Sequence, residues 1–349
     1  MRVEDITAFV EYASKVVRAM SIAMSRPDVD TGPTPNEVIF KKDNLKILHY
    51  LPVKKDLCPT PVLVTYALVN KPYILDLQAD RSVVQAMLNA GLDVYLIDWG
   101  SPGPTDKYLT LEDYLNIYYD RCTDAVLDLT GTEQVTMLGY CMGGTMAAMY
   151  TILHQEKVKN LVCMASQFDF HQGHGFLNRW AMYLDVDKIV DSYGNVPAEF
   201  LNTAFLLLDP IRNFYLKYLQ MIDLVEDKEG LNNFLRMEKW INDGIPVAGE
   251  TYREFIKYGY QENRLVKKTW KIAGQVMDLS RITIPVLNLV ATKDTIIPPE
   301  SSLALKGHIG SKDYTVMTLD AGHIGLSVSR KAHRELWPKA CQWIVDHSQ

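Results

Sequence analysis

Short β-branched apolar runs alternate along this chain with stretches of helical periodicity, and that alternation sets the expected elements. Ile6 to Met24 reads as an amphipathic helix that stops before the turn-rich Arg26-Pro27-Asp28. Glu37-Val38-Ile39-Phe40 and Leu45 to Tyr50 predict a hairpin turning at Lys42-Asp43-Asn44. Pro61 to Tyr66 and Asp93 to Ile97 are the next strands, with a helix over Val83 to Ala90 between them. A second helix, Leu111 to Leu129, leads to the strand Gln134 to Leu138, and Val158 to Met164 is another strand. From about Gln167 to Val276 the chain is aromatic-rich and mostly helical, with no clear buried strand. Strand signals resume at Ile284 to Val290 and Tyr314 to Leu319. The pattern predicts an α/β protein with a mostly parallel sheet. Residues 1–30 form an N-terminal helical segment, 31–166 and 277–349 two parts of one core, and 167–276 a helical cap inserted between them.

Composition narrows the class. The chain has 349 residues, 48% of them hydrophobic, and a formal net charge of −6, enough for one large domain carrying an insertion. No apolar run reaches the ~18 residues of a membrane-spanning helix. Met1-Arg2-Val3-Glu4-Asp5 lacks the basic start and apolar core of a signal peptide. Five cysteines without a C-x-x-C pair fit a reducing cytosol, and negative charge without a basic stripe excludes nucleic acid. His171-Gln172-Gly173-His174 resembles a metal pair, but no further ligand stands at suitable spacing, so no metal site is expected.

The chemistry concentrates at Gly139-Tyr140-Cys141-Met142-Gly143-Gly144. This run follows a strand and opens a small-residue helix, the setting of the G-x-S-x-G nucleophile elbow of α/β-hydrolases, with cysteine in place of serine. The glycines let the turn pass close to its neighbours. The first amides of the helix can hold an oxyanion, and its dipole favours a thiolate. Asp294 follows the strand ending at Val290, and His323 follows the strand ending at Leu319. Nucleophile, acid and histidine thus occur in the chain order of the α/β-hydrolase triad, each on a loop after a strand. The fold class expected is therefore an α/β-hydrolase fold with a helical cap and an N-terminal helix.

With these residues in place, the chain resembles the catalytic subunit of class III polyhydroxyalkanoate synthases over nearly its full length. The resemblance rests on Tyr66 to Tyr73, Asp93 to Gly100, the cysteine box, Tyr193-Gly194-Asn195-Val196-Pro197, Met237-Glu238-Lys239-Trp240, Ala248 to Arg253 and Gly322-His323-Ile324-Gly325. Leu77 to Ser82 and Phe234 to Trp240 favour class III over the related short class IV. It implies that Cys141, Asp294 and His323 are catalytic. It further implies a 3-hydroxyacyl-CoA substrate, usually 3-hydroxybutyryl-CoA of R configuration, and a polyester product on cytoplasmic granules. The implied partners are a second subunit of the PhaE type, or of the PhaR type for class IV, and a second copy of the catalytic subunit. No cofactor is implied, since coenzyme A enters as the substrate thioester and leaves as product. One departure stands out: Ser166-Gln167-Phe168-Asp169-Phe170 replaces a run usually resembling Pro-Val-Asp-Phe, which bears on the cap entrance.

A cysteine suits this chemistry because attack on a thioester exchanges one thioester for another, and transfer onward to a hydroxyl runs downhill. His323 is the expected general base for Cys141. The backbone amides of Met142 and Val69 are the oxyanion-hole candidates, and losing such a donor typically costs ~10²–10³ in rate. Asp294 either orients His323 or helps it deprotonate the attacking 3-hydroxyl. Phe168, Phe170, Trp180, Tyr183, Tyr193 and Trp240 together suit a dry, mobile lid, closed at rest and opened by a partner or by dimerisation, although any one of them alone reads more simply as the insertion's own core. Cys122, Cys163 and Cys341 are expected to pack, and Cys58 lies in a loop. His49, His154, His308, His333 and His347 show no evident partners and read as surface groups. Asp98-Trp99-Gly100 reads as site wall and loop geometry, with an indirect role. Two other readings compete: a Cys-dependent thioesterase or esterase releasing free acids, and a non-catalytic granule scaffold on the same fold.

Overall fold

The computed structural model describes residues 3–25, 27–173 and 175–349. Met1, Arg2, Arg26 and His174, on which the readings of the N-terminus, the first turn and the histidine pair partly rest, lie outside them. Eight strands form one sheet: β1 (Asn36–Lys42), β2 (Leu45–Tyr50), β3 (Val62–Thr65), β4 (Val94–Asp98), β5 (Val135–Tyr140), β6 (Val158–Met164), then β9 (Val286–Ala291) and β10 (Tyr314–Leu319). Between β6 and β9 stands a separate two-residue ribbon of β7 (Lys271–Ile272) and β8 (Gln275–Val276). The spatial order β1-β2-β4-β3-β5-β6-β9-β10 is antiparallel only where β2 meets β1 and β4.

The apolar runs explain the layering. Every residue of β3, β5 and β9 is buried, as expected for strands covered on both faces. Alternation then divides them, with Leu63 and Met137 in the core on one side and Val62, Val64 and Leu138 in the core on the other. Helices α2 (Val83–Ala90), α3 (Asp120–Thr130) and α4 (Met142–Leu153) belong to these layers, with Trp337–His347 last. In α2, Val83, Val84, Met87 and Leu88 make the buried stripe, and Ser82 Oγ caps its N-terminus by accepting from Gln85 N.

Helix α1 (Val3–Ser25) precedes the sheet, and α5 (Phe176–Tyr183), α6 (Val186–Tyr193), α7 (Ala198–Leu206), α8 (Lys217–Leu224), α9 (Lys228–Asn242) and α10 (Gly249–Glu254) form a cap between β6 and β9. Among the described residues no helix is long and apolar enough to cross a membrane.

The structure departs from the sequence reading in three places. The helix expected over Leu111 to Leu129 is π-helical from Asp113 to Tyr119, between an α-helical start at Leu111 and Glu112 and the α-helix from Asp120. The cap region contains the β7–β8 ribbon and a bridge between Val196 and Val247, pairings too short to leave a periodic signal. Four of the histidines have partners, contrary to expectation. His49 bonds Asp93 at 2.8 Å and stacks on Tyr95, and His154 stacks on Tyr150. The ring of His333 lies 2.6 Å from Ser327 O, and that of His347 stacks on Trp343. Most of these partners lie on the same or an adjacent element, and the His49–Asp93 contact is made by strand pairing.

Candidate active site

Three glycines make the elbow possible. A methyl group on Gly143 would sit 2.5 Å from the Thr65 carbonyl oxygen, and one on Gly139 or Gly144 would overlap Gly144 or Ser166. Gly144 is the one the spacing argument leaves out. With the chain this close to its neighbours, Cys141 takes φ 59 and ψ −129, a conformation that side chains rarely adopt. Its N–H donates to Met164 O at 2.9 Å and its carbonyl accepts from Gly144 N at 3.0 Å, so β6 and the first turn of α4 hold the strained residue in place. The sulfur is thereby set at the N-terminus of a twelve-residue helix.

The other two members come from the ends of β9 and β10. Asp294 Oδ1 accepts from the Ile296 and Ile297 amides at 2.9 and 2.8 Å. Its Oδ2 lies 2.6 Å from His323 Nδ1, in a contact almost wholly removed from water. That bond assigns a proton to Nδ1 and leaves Nε2 for the hydrogen bond with Cys141. The imidazole also stacks on Tyr140, whose hydroxyl donates to the His323 carbonyl at 3.1 Å. Burial alone would lower the His323 pKa; the charges of Asp294 and Cys141, and the hydrogen bonds of both to the ring, outweigh it and raise the value. The structure thus brings Cys141, Asp294 and His323 together.

Val69 and Met142 line a cavity of about 100 Å³ together with Cys141. Ile296 and Ile297 complete its floor, and the cap supplies the roof through Leu177, Trp180 and Ala181 of α5, Leu201, Ala204 and Phe205 of α7, and Tyr252, Phe255, Ile256 and Tyr260. Among the described residues no charged side chain lines it, so the lining beside the sulfur is apolar. Of the lid aromatics singled out in the sequence, only Trp180 reaches the cavity. Phe168 and Phe170 are core, Tyr183 is 90% exposed, Tyr193 is exposed, and Trp240 Nε1 donates to Lys71 O. Tyr252, Phe255 and Tyr260 were missed. Their spacing is a helical stripe, continued through the π-helical turn Phe255–Gln261, and that stripe was the available signal.

Trp99 acts on the site indirectly, as support: its Nε1 donates to Tyr66 O and its ring packs on Tyr114 and Tyr119. Cys122, Cys163 and Cys341 are buried in the core, and burial pushes each thiol's pKa up. A larger polar cleft of about 680 Å³, lined by Lys107, Tyr108, Asp191, Arg253 and neighbours, lies on the cap's flank and includes no triad residue.

Known proteins place this geometry. Residues 61–329 match the α/β-hydrolase fold family, and residues 26–87 match the N-terminal region of poly-beta-hydroxybutyrate polymerase (PhaC). The poly(3-hydroxyalkanoate) polymerase subunit PhaC of Haloferax mediterranei is 45% identical over 97% of this chain and 70% of its own length. The subunit of the same name from Allochromatium vinosum is 43% identical over 96% of this chain and 95% of its own. Among solved structures, one from the metagenome-derived lipolytic enzymes LipS and LipT superposes with a TM-score of 0.52 at 13% identity, covering 86% of this chain and 97% of that one. At that identity the likeness concerns the fold alone.

Proposed function

The chain belongs to the PhaC family of poly(3-hydroxyalkanoate) polymerases, built on the α/β-hydrolase fold, and from that premise we propose how its residues make polyester. It is an acyltransferase, the catalytic subunit of a polyhydroxyalkanoate synthase. Its substrate is an (R)-3-hydroxyacyl-CoA, with 3-hydroxybutyryl-CoA the first to test. His323 Nε2 takes the Cys141 proton, and the thiolate attacks the thioester carbonyl. The tetrahedral oxyanion rests on the Val69 and Met142 amides. Collapse expels the CoA thiolate, which takes the proton from the imidazolium, and leaves the acyl group on Cys141. A 3-hydroxyl then attacks the acyl-cysteine, its proton passing to His323, and the new oxoester forms as the cysteine thiolate departs. No oxidant, metal or cofactor enters the balance.

One observation carries this reading: the buried 2.6 Å His323–Asp294 bond lies beside a strained cysteine under an apolar roof. Asp294 has one oxygen occupied by two backbone amides and the other by the imidazole. That occupancy supports an orienting role over direct contact with the hydroxyl nucleophile. An apolar cavity supports transfer to a hydroxyl over hydrolysis, because water is the competing nucleophile at the same thioester.

At about 100 Å³ the cavity is far smaller than coenzyme A, so substrate entry requires the cap to move. We assign that opening to a second subunit of the PhaE type and to pairing of two catalytic subunits, in the class III manner, on granules in the cytoplasm. The exposed apolar side chains of α1 (Phe9, Val17, Met20) and of the cap (Ile211, Phe214, Tyr215) are the surfaces offered to them. The decisive assay supplies the purified chain and its partner with 3-hydroxybutyryl-CoA and follows free thiol and turbidity together. Both signals should rise, and both should vanish in Cys141→Ala. Thiol release with only soluble 3-hydroxy acid would instead identify a hydrolase.

A further inference from the structure

The loop carrying Val69 is held from the cap. Asn70 follows with φ 58, and the next residue, Lys71, makes two contacts with the end of α9: its Nζ pairs with Asp243 Oδ1 at 2.7 Å, and its carbonyl accepts from Trp240 Nε1 at 2.8 Å. Tyr73 OH donates to the other Asp243 oxygen at 3.2 Å. The same end of α9 is tied to the roof, since Asn202 Nδ2 on α7 donates to Ile241 O at 2.8 Å. Gly244 closes the junction: a methyl group there would stand 3.0 Å from Asn202 Nδ2 and 3.2 Å from Asn70 Oδ1. A continuous set of contacts therefore runs from the roof helix to the residue after the oxyanion loop, and neither Lys71 nor Asp243 lines the cavity.

We propose that Lys71 and Asp243 are positioning residues that hold the Val69 amide in its oxyanion-binding place only while the cap is seated. The inference rests on the assignment of that amide in the proposed mechanism and adds a coupling to it. When α7 and α9 lift to admit coenzyme A or release polymer, the clamp opens, the Val69 amide shifts, and acyl transfer stops. The thioester is thus least reactive when water has access to it. Such a device protects the acyl-cysteine without requiring the cap to stay shut. Both partners of the pair are partly exposed, so removing one weakens the fold little.

The test separates chemistry that makes an oxyanion from chemistry that does not. Quenched-flow acylation of Cys141 by 3-hydroxybutyryl-CoA and alkylation of Cys141 by iodoacetamide are compared in wild type, Asp243→Ala, Lys71→Met and the exchanged pair Lys71→Glu/Asp243→Lys, each as the full chain with its partner. Displacement of iodide passes through no oxyanion and reports only the thiol and its access. Each single variant should acylate roughly 10- to 100-fold more slowly, while alkylation stays within about twofold, and the exchanged pair should recover most of the loss. Acylation at the wild-type rate in both single variants overturns the clamp while leaving the proposed mechanism standing. Parallel loss of acylation and alkylation also overturns it, because the defect is then general damage to the site. A wild-type chain that never becomes acylated at Cys141 overturns the underlying mechanism and the clamp with it.

Discussion

At Cys141 the backbone and the chemistry make opposite demands. Its φ of 59 and ψ of −129 suit glycine, and a side chain there carries strain of about 1–3 kcal/mol. Cys141→Gly should therefore melt higher than Cys141→Ala, by roughly 1 kcal/mol in differential scanning calorimetry, although both are inactive. Equal stabilities would mean that the elbow is relaxed. His323 gives a pH signature. Burial opposes its charged form, but Asp294 and Cys141 raise its folded-state pKa. A raised value means that the protonated ring's stabilisation is complete below the ordinary imidazole value of about 6.5 and fades as pH rises through the folded-state value. The stability advantage of wild type over Asp294→Asn should be largest below about pH 6.5 and shrink above it, as read by melting temperature across a pH series. An advantage that grows with pH would contradict the coupling of His323 to Asp294. The placement of Cys141, Asp294 and His323 after strands could be read from the sequence because each follows a short apolar run with β-branched residues, bounded by turn residues. The partners of His49 and His154 depend on pairing and on a helix face, which spacing to a motif does not reveal.

Among the elements, the cap is where sequence and structure part most. Its helices are legible, but of the rings expected over the sulfur only Trp180 lines the cavity, and Tyr252, Phe255 and Tyr260 do so instead of the others. Burial of an aromatic in a cap depends on which helix faces the sheet, and periodicity gives a face without saying what it meets. The roof stripe of Tyr252, Phe255, Ile256 and Tyr260 also continues through a π-helical turn, where the spacing drifts from the α-helical repeat. The roof makes a measurable promise about product. Phe255→Leu should cost about 1–2 kcal/mol of stability and, by admitting water, raise the ratio of free 3-hydroxy acid to polymer several-fold. An unchanged ratio with the expected loss of stability would show that the roof is structural and that water is excluded some other way. The sheet was far more legible. β6 and β10 have the bounds expected, and β3, β4, β5 and β9 differ from expectation by one or two residues at their ends, because the strands buried on both faces leave nearly unbroken apolar runs and the edge strand β10 is rich in β-branched and aromatic residues.

Across the whole molecule, exposed apolar side chains gather on α1 and on the cap segment around residues 211–219, with others scattered singly, while the buried ones fill the two layers beside the sheet. Val17→Glu and Phe214→Glu should each leave the isolated chain's melting temperature within about 2 °C and its unassisted turnover unchanged, yet reduce the acceleration expected from the proposed second subunit. Full acceleration in both variants would move the docking surface elsewhere. The opposite pole of the sheet is closed differently. Ser348 is wholly buried beneath the strand starts: its carbonyl accepts from Thr60 Oγ1 at 2.8 Å, and its hydroxyl bonds Thr136 at 3.0 Å and Asn160 at 3.2 Å. Cys141 follows the far end of β5. Polypeptide joined after Gln349 would therefore begin at the end of the sheet opposite the elbow, away from Cys141 and the cavity beside it, and a reporter carried there should leave acylation unchanged.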